Sequence, residues 1–332
     1  MPSPQRRKTL VIYAGDAAYA YPMLVSARSV REHATDPSFD IWIFAADYTP
    51  EQFDAAAAIA ETIRVKVVPM ASKDYIRFDL ARYRTDRDFA HLKPSVLSRL
   101  VTGQAIPEEY DQVLYLDGDT FCTGDLSPLV NFDVPPRRLL AVADAVNYFK
   151  YDTGPYATEY RAFMRQIGVD VDSTWYNTGV MMADRATWAE RGAAALSFFV
   201  ENIDICKFPV DGSTNATAKD HWAPISSRWN FMAPMRMWGC DAEINPAFYH
   251  FTGKEKPWLG EMSPWRDFWP RYEAIRQERP IGALAGPLAK PADIAAANRH
   301  RALGRLTEST VHCLRTARAR RAMLDSEKNA IV

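Results

Sequence analysis

Cysteine is scarce and scattered in this chain. There are four, Cys122, Cys206, Cys240 and Cys313, and no two stand at a zinc-ligand spacing or in a C-x-x-C pair. Cysteine-bound zinc and dithiol redox chemistry are set aside on that ground, and free buried thiols in a reducing compartment are expected. No apolar stretch approaches the length of a membrane span. The polar, basic opening Met1 to Lys8 leads into no secretory h-region, so a cytoplasmic protein is expected. Lys and Arg number 40 against 41 Asp and Glu, a net charge of −1, which predicts neither a nucleic-acid coat nor an acidic tail. No G-x-G-x-x-G follows the first apolar run and no G-x-x-x-x-G-K-[ST] occurs, so a dinucleotide fingerprint and a P-loop are both missing. There is no internal repeat and no low-complexity tract.

What the chain does have is alternation. Thr9 to Ala14 reads as a buried strand ending at Gly15-Asp16, with a helical pattern from Pro22 to His33 after it. Ile41 to Ala45 reads as a second strand, alanine-rich Pro50 to Ile63 as a second helix, and Val65 to Val68 as a third strand. This order predicts an α/β fold with a largely parallel sheet, whose ligands lie beyond the carboxyl ends of the strands. With 332 residues and 48% hydrophobic content, one domain over residues 1–278 is expected, followed by a tail over 279–332. Pro280 to Pro291 has the composition of a linker. Arg299 to Arg321 sets many arginines against the single acid Glu308, and Leu303, Leu306, Val311 and Leu314 have rough helical spacing. That segment reads either as a solvated tail or as a basic amphipathic helix lying on an anionic membrane or a partner.

The most informative stretch is Gln112-Val113-Leu114-Tyr115-Leu116-Asp117-Gly118-Asp119. A short apolar run of this kind suits a strand buried on both faces. In extended chain, side chains at i and i+2 share a side, so Asp117 and Asp119 converge and repel unless a cation sits between them. Gly118 clears room for a ligand to approach the backbone. A divalent metal site is expected here, against the plainer reading of a solvated turn or helix cap. Other candidates follow along the chain. Arg99 lies on a helix expected over His91 to Leu100, after the polar, aromatic stretch Ser72 to Phe89. Asp144 ends a strand over Leu139 to Ala143, and the aromatics of Tyr148 to Asp172 are suited to an acceptor cleft. Asn177 and Gly179 open an apolar run, Asp211 to Asn215 marks a turn or helix start, and Arg228 to Met237 reads as irregular chain. In Tyr249 to Trp258, His250 offers an imidazole, Gly253 close backbone approach and Lys256 a point charge; taken singly, His250 reads more readily as a hydrogen-bonded structural histidine than as a ligand.

As an ordered set, Y-L-D-x-D at Asp117 and Asp119, Y-N-x-G-V at Asn177 and H-x-x-G-x-x-K-P-W at His250 resemble the family-8 glycosyltransferases over about Thr9 to Trp258. The resemblance implies a GT-A fold and a retaining glycosyltransferase with a UDP-sugar donor, UDP-glucose or UDP-galactose, and a saccharide or glycolipid acceptor. It implies Mn²⁺, or Mg²⁺, held by Asp117, Asp119 and His250. It also implies nucleoside contacts at Ala14 and Asp16, donor contacts at Gly118, and a diphosphate held by Lys256 and the backbone near Gly253. Arg99, Asn177 and Asp144 match positions around the donor sugar or facing the acceptor. Two departures stand out. Ala18 replaces a common asparagine near the ribose. Gly212 stands where the family carries a glutamine beneath the anomeric carbon, and the segment before Asn215 is one residue short. On this register Asp211 is left to cover that face, unless the reaction goes by front-side attack or the protein is a non-catalytic nucleotide-sugar binder. A sugar-nucleotidyltransferase, which also uses paired aspartates, is disfavoured by the missing glycine-rich phosphate loop.

Overall fold

The computed structural model describes residues 7–75, 94–310 and 313–332. Strand β1 (Thr9–Gly15), helix α1 (Ala20–His33), β2 (Asp40–Ala46), α2 (Pro50–Thr62) and β3 (Lys66–Met70) build the expected alternation. Helix α2 starts where the sequence signals it. Thr49 accepts from the Gln52 amide while the Gln52 side chain accepts from the Thr49 amide, a reciprocal cap with proline in the first turn. Strand β3 ends at Met70 rather than Val68; it is an edge strand, so Pro69 costs it no interior ladder bond. The expected helix start at His91 lies outside the described residues, and Arg99 sits on a short helix, Ser98–Val101.

The chain continues through β4 (Gln112–Leu116), β5 (Thr120–Cys122), β6 (Leu139–Ala143), helix α3 (Pro155–Gln166), β7 (Tyr176–Asp184), α4 (Arg185–Glu201) and α5 (Asp211–Ala218). Strands β8 (Trp222–Pro224), β9 (Phe231–Met232) and β10 (Phe248–His250) follow. The main sheet has seven strands in the order β3-β2-β1-β4-β7-β6-β8. Only β7 runs against its neighbours, so the sheet is mixed but mostly parallel. Every residue of β4 is buried, as an interior strand between two neighbours requires. A second, three-stranded sheet, β5-β10-β9, packs beside it. Its strands are too short to announce themselves, which is why Phe231 to Met237 reads as irregular in sequence and here forms a strand and a short helix, Ala233–Met237.

The C-terminal segment forms helices α6 (Pro291–Thr310) and α7 (Cys313–Ser326). The Pro/Gly/Ala-rich stretch before them is packed rather than extended. Ile281 is buried, the Ala289 amide donates to the Leu259 carbonyl, and Arg276 donates to the Gly286 carbonyl. Further on, Met323 is fully buried in the main core, Tyr148 and Ser326 share a hydroxyl hydrogen bond of 2.6 Å, and Glu327 accepts from Ser226 and the Ser227 amide. Among the described residues no helix is long and apolar enough to cross a membrane. Cys122, Cys206 and Cys240 are free and buried.

This packing makes the tail part of the folded unit. Met323→Ala is expected to cost about 2–5 kcal/mol of stability, the range for emptying a buried methionine site, read as a lower urea midpoint at unchanged slope.

Candidate active site

The carboxyl end of β4 carries the site. The Asp117 amide donates to the Gly179 carbonyl at 2.7 Å, and the Thr120 hydroxyl donates to the Asp117 carbonyl at 2.8 Å, so the turn from β4 into β5 is fixed from both sides. Tyr115, two residues back on the same face, donates its hydroxyl to Asp117 Oδ1 at 2.7 Å. Arg99 reaches the same oxygen at 2.7 Å and stacks over the Tyr115 ring at 4.8 Å. Lys256 pairs with Asp119 Oδ2 at 2.5 Å and donates to the Phe251 carbonyl. Each acid therefore has one oxygen occupied by a protein cation. The other two, Asp117 Oδ2 and Asp119 Oδ1, face His250 Nε2 at 3.7 and 3.3 Å.

His250 reaches them from β10, whose antiparallel pairing puts it opposite Thr120 of β5. Two features set its ring. Its Nδ1 lies 2.8 Å from Asn230 Oδ1, and the Asn230 amide nitrogen donates to Asn177 Oδ1 at 2.8 Å. Asn230 thus offers its oxygen to the ring, which makes Nδ1 the donor and turns the Nε2 position toward the acids. The second feature is Gly179: a Cβ there would come within 2.3 Å of His250 Cε1. Gly118 is comparably constrained, since a Cβ would stand 2.5 Å from Met23 Cγ.

Three acceptor atoms, all within 4.8 Å of one another, converge with no donor among them other than a ring proton. A proton or a divalent cation relieves that repulsion, and two carboxylates with an imidazole held by its own outer hydrogen bond are a fitting donor set for such an ion. The charges act accordingly. Burial pulls the His250 pKa down, but Asp119 and Asp117 outweigh it and the net shift is upward. Burial pushes Asp119 up, but Lys256 and His250 outweigh it and hold the carboxyl well below the usual range.

Beside this triad, Ala14, Gly15 and Asp16 of the β1 end, Ser95, Arg99 and the Asp117–Asp119 turn line one open cleft of about 360 Å³. Asp16 accepts from the Ala18 amide and from the Ser95 hydroxyl, each at 3.0 Å. Trp258 closes on Tyr19 at 6.2 Å, edge to face, which brings the Lys256 segment against this cleft. Gly253, with φ of +93°, turns the chain between His250 and Lys256.

Through Asn230, His250 is tied to Asn177 and from there to Asp144, while Asp211 binds the neighbouring Thr178. Between Val142, opposite Asn177, and Ala141, opposite Met181, the β6–β7 register jumps; residues 178–180 are left without partners on β6. Asn177 donates to Asp144 Oδ2 at 2.9 Å and accepts from the Gly179 amide at 3.0 Å. Burial raises the Asp144 pKa against the pull of the Val146 amide and Asn177. Asp211 opens α5 and takes the Thr178 hydroxyl at 2.7 Å and the Thr178 amide at 3.2 Å on one oxygen, Oδ1. Asn215 brackets the Tyr176 backbone, accepting from its amide and donating to its carbonyl, both at 2.9 Å. A Cβ on Gly212 would point at Cys206 Sγ, 3.0 Å, and Phe163 Cζ, 3.1 Å, in the apolar core rather than toward the cleft.

The structure thus gathers Asp117, Asp119, His250 and Lys256 in one cluster, with Arg99, Asn177 and Asp144 linked to it by hydrogen bonds or ion pairs. Sequence reasoning passed over Tyr115, Thr178, Ser95 and Asn230. Tyr115 had a signal, its i, i+2 relation to Asp117. Asn230 had none, because its role depends on the pairing of β9 with β10.

A titration tests this geometry. With the His250 pKa raised, its proton must leave before an ion can take Nε2. Mn²⁺ affinity is expected to climb about tenfold per pH unit from pH 6 upward and to level off above the pKa of the imidazole. Gly179→Ala is expected to lower Mn²⁺ affinity about 10- to 100-fold by displacing the ring. Calorimetry across pH checks both.

Comparison with known proteins bears on the same region. A model of the family described as "Glycosyl transferase family 8" matches residues 10–261. The chain is 24% identical over 278 residues to glycosyltransferase GlyF of Streptococcus pneumoniae serotype 4, covering 81% of this chain but only 62% of GlyF. It is 24% identical over 291 residues to the lipopolysaccharide 1,2-glucosyltransferase of Escherichia coli K12, covering 79% of this chain and 80% of that one. Among solved structures, galactosyltransferase LgtC with donor and acceptor sugar analogs superposes with a TM-score of 0.61 at 22% identity, over 87% of this chain and 99% of LgtC. An active-site glutamine-to-glutamate mutant of LgtC gives 0.64 at 21% identity, over 80% and 95%. The shared architecture is the GT-A fold, and the chain belongs to glycosyl transferase family 8.

Proposed function

We propose that the protein is a retaining, Mn²⁺-dependent glycosyltransferase that moves a hexose, glucose or galactose, from a UDP-sugar to a saccharide or glycolipid acceptor, with residues 1–278 as its catalytic part. The convergence of Asp117 Oδ2, Asp119 Oδ1 and His250 Nε2 beside the Ala14–Asp16 cleft carries this reading. The named activities of the relatives, a lipopolysaccharide 1,2-glucosyltransferase among them, support it. An imidazole in the donor set favours Mn²⁺ over Mg²⁺, and the bound ion would supply positive charge to the donor diphosphate as UDP departs. The chain's own residues do the rest. Ala14 and Asp16 take the nucleoside, Gly118 lets the donor approach the backbone, and Lys256 with the Gly253 backbone holds the diphosphate. Arg99, Asn177 and Asp144 surround the sugar.

Asp211 is assigned the face beneath the anomeric carbon. Its neighbour Gly212 projects into the core, whereas Asn215 is fixed to the Tyr176 backbone and serves as the better anchor for register. Counting back from Asn215 across the missing residue brings Asp211 onto the position of the family's glutamine. Its carboxylate attacks the anomeric carbon as the bond to UDP breaks, the electron pair leaving with the diphosphate. The acceptor hydroxyl then displaces Asp211 and yields its proton to that diphosphate, and two inversions give retention. With UDP-glucose and UDP-galactose as donors, Asp211→Asn is expected to lower kcat by about 10³-fold with little change in KM. A loss of under tenfold would point instead to front-side attack within an ion pair. Tight UDP binding without Mn²⁺-stimulated hydrolysis or transfer in the unmodified chain would favour the non-catalytic binder.

The acceptor is proposed to be lipid-linked and met at the inner face of a membrane by a cytoplasmic protein. Leu303 and Leu314 are 66% and 83% exposed on the C-terminal helices, and Arg321 of the same helix as Leu314 is largely exposed too. Because the tail is packed into the core, truncation would confound the test. The double variant R318E/R321E is expected to lose pelleting with phosphatidylglycerol vesicles while keeping the wild-type melting temperature; equal, negligible pelleting of both proteins would reject membrane contact.

A further inference from the structure

Lys256 owes its place to a loop, and that loop is held by chain that follows it. Lys256 reaches Asp119 from a turn in which Gly253 takes a φ of +93° and the Leu259 amide donates to the Lys256 carbonyl at 3.0 Å. Just downstream, four backbone groups find partners among residues 276–298. The Trp258 carbonyl accepts from Arg276 at 3.1 Å, and the Leu259 carbonyl from the Ala289 amide at 2.9 Å. Asn298 of α6 takes the other two. Its Oδ1 accepts from the Ser263 amide at 2.8 Å, and its Nδ2 donates to the Glu261 carbonyl at 2.9 Å. A side-chain amide, with one acceptor and one donor side by side, meets both demands at once. The same helix closes on the loop at two further points. A Cβ on Gly260 would stand 2.5 Å from Ile294 Cδ1, and Arg301 pairs at 3.5 Å with Glu255, the residue before Lys256. Ile294, Asn298 and Arg301 are spaced by four and three, so one face of α6 lies along the loop.

We propose that Asn298 is a positioning residue for the donor diphosphate: from α6 it holds the 253–263 loop in the conformation that sets Lys256 beside Asp119. It touches neither nucleotide nor ion and acts through Lys256. A loop with a glycine at positive φ has many conformers open to it, and each one that withdraws Lys256 takes a cation away from the phosphates. The bonds from Asn298 remove those conformers before the nucleotide arrives. A purely stabilising asparagine would act on binding independently of Lys256. The inference rests on the proposed donor site and extends the working part of the chain past residue 278.

A double-mutant cycle on the full chain tests it, with UDP titrated calorimetrically at saturating Mn²⁺. Asn298→Ala is expected to weaken UDP binding about tenfold in the otherwise unmodified chain. In a Lys256→Ala background the same change is expected to cost less than about twofold, because the group it positions is gone. Where the alanine variant does not fold, Asn298→Asp, which keeps the Ser263 bond and loses the Glu261 one, is read in the same cycle. Unchanged UDP affinity, or an equal loss in both backgrounds, overturns the proposal. Binding requires no turnover, so the two readings can fail separately. UDP binding that depends on Asn298 through Lys256, in a chain that transfers no sugar, would sink the transferase reading alone. Sugar transfer with an additive cycle would sink the positioning role alone.

Discussion

Two carboxylates forced to one side of an interior strand are the constraint on which the rest of this molecule depends. β4 is buried along its whole length, so the turn that follows has little freedom, and Asp117 and Asp119 emerge into a partly dry space where like charges repel strongly. The fold answers with opposite charge from distant parts of the chain. Arg99 comes from the segment before β4, Lys256 from beyond β10, and His250 from β10 itself. Arg99 and Lys256 each bind one acid at a single oxygen and leave the other oxygen turned toward His250. The repulsion is thereby reduced without being removed, which is the condition for an ion to bind there with a gain.

The surrounding architecture can be understood as the means of delivering those groups. The parallel half of the sheet, β3-β2-β1-β4, brings the ends of β1 and β4 side by side, so Asp16 and Asp117 border one cleft. The register jump between β6 and β7 frees residues 178–180 on their β6 side, while Val180 stays paired with Leu116 of β4. Their backbone and side chains then bind Asp117, Asp211 and, through the vacancy of a side chain at Gly179, admit the His250 ring. The small second sheet exists to hold β10 against β5, and with it the imidazole. The C-terminal helices add hydrogen bonds and a buried methionine to the same body rather than hanging from it.

How much of this was legible depended on range along the chain. The apolar runs of β1, β2, β4 and β6 and the capped helix α2 carry their own local signals, and the sequence locates them within a residue or two. The i, i+2 placement of Asp117 and Asp119 is likewise a local fact. His250, by contrast, is joined to them only through strand pairing, and it was the resemblance of the whole motif set that named it. Strands β9 and β10 are too short for periodicity to mark, so Asn230 was invisible. The composition of 280–291 suggested a free linker because proline and glycine are common there; what orders it is long-range, the contacts of Ile281, Arg276 and Ala289. Position 212 shows a different limit, since only the direction of its missing side chain reveals that it faces the core.

One amide has a reach that its size would not suggest. Asn230 gives its nitrogen to Asn177 and its oxygen to the His250 ring, so the residue proposed to touch the donor sugar and the proposed ion ligand share a single rigid group. Asn177 Oδ1 already accepts from Gly179 and Asn230, so a sugar that displaced Asn230 from that oxygen would loosen the shared group and alter the basicity of the imidazole. Thermodynamic reciprocity then requires the converse: the identity of the ion shifts the preference among sugars by the same factor. Sugar binding and ion binding would therefore be coupled through this one amide.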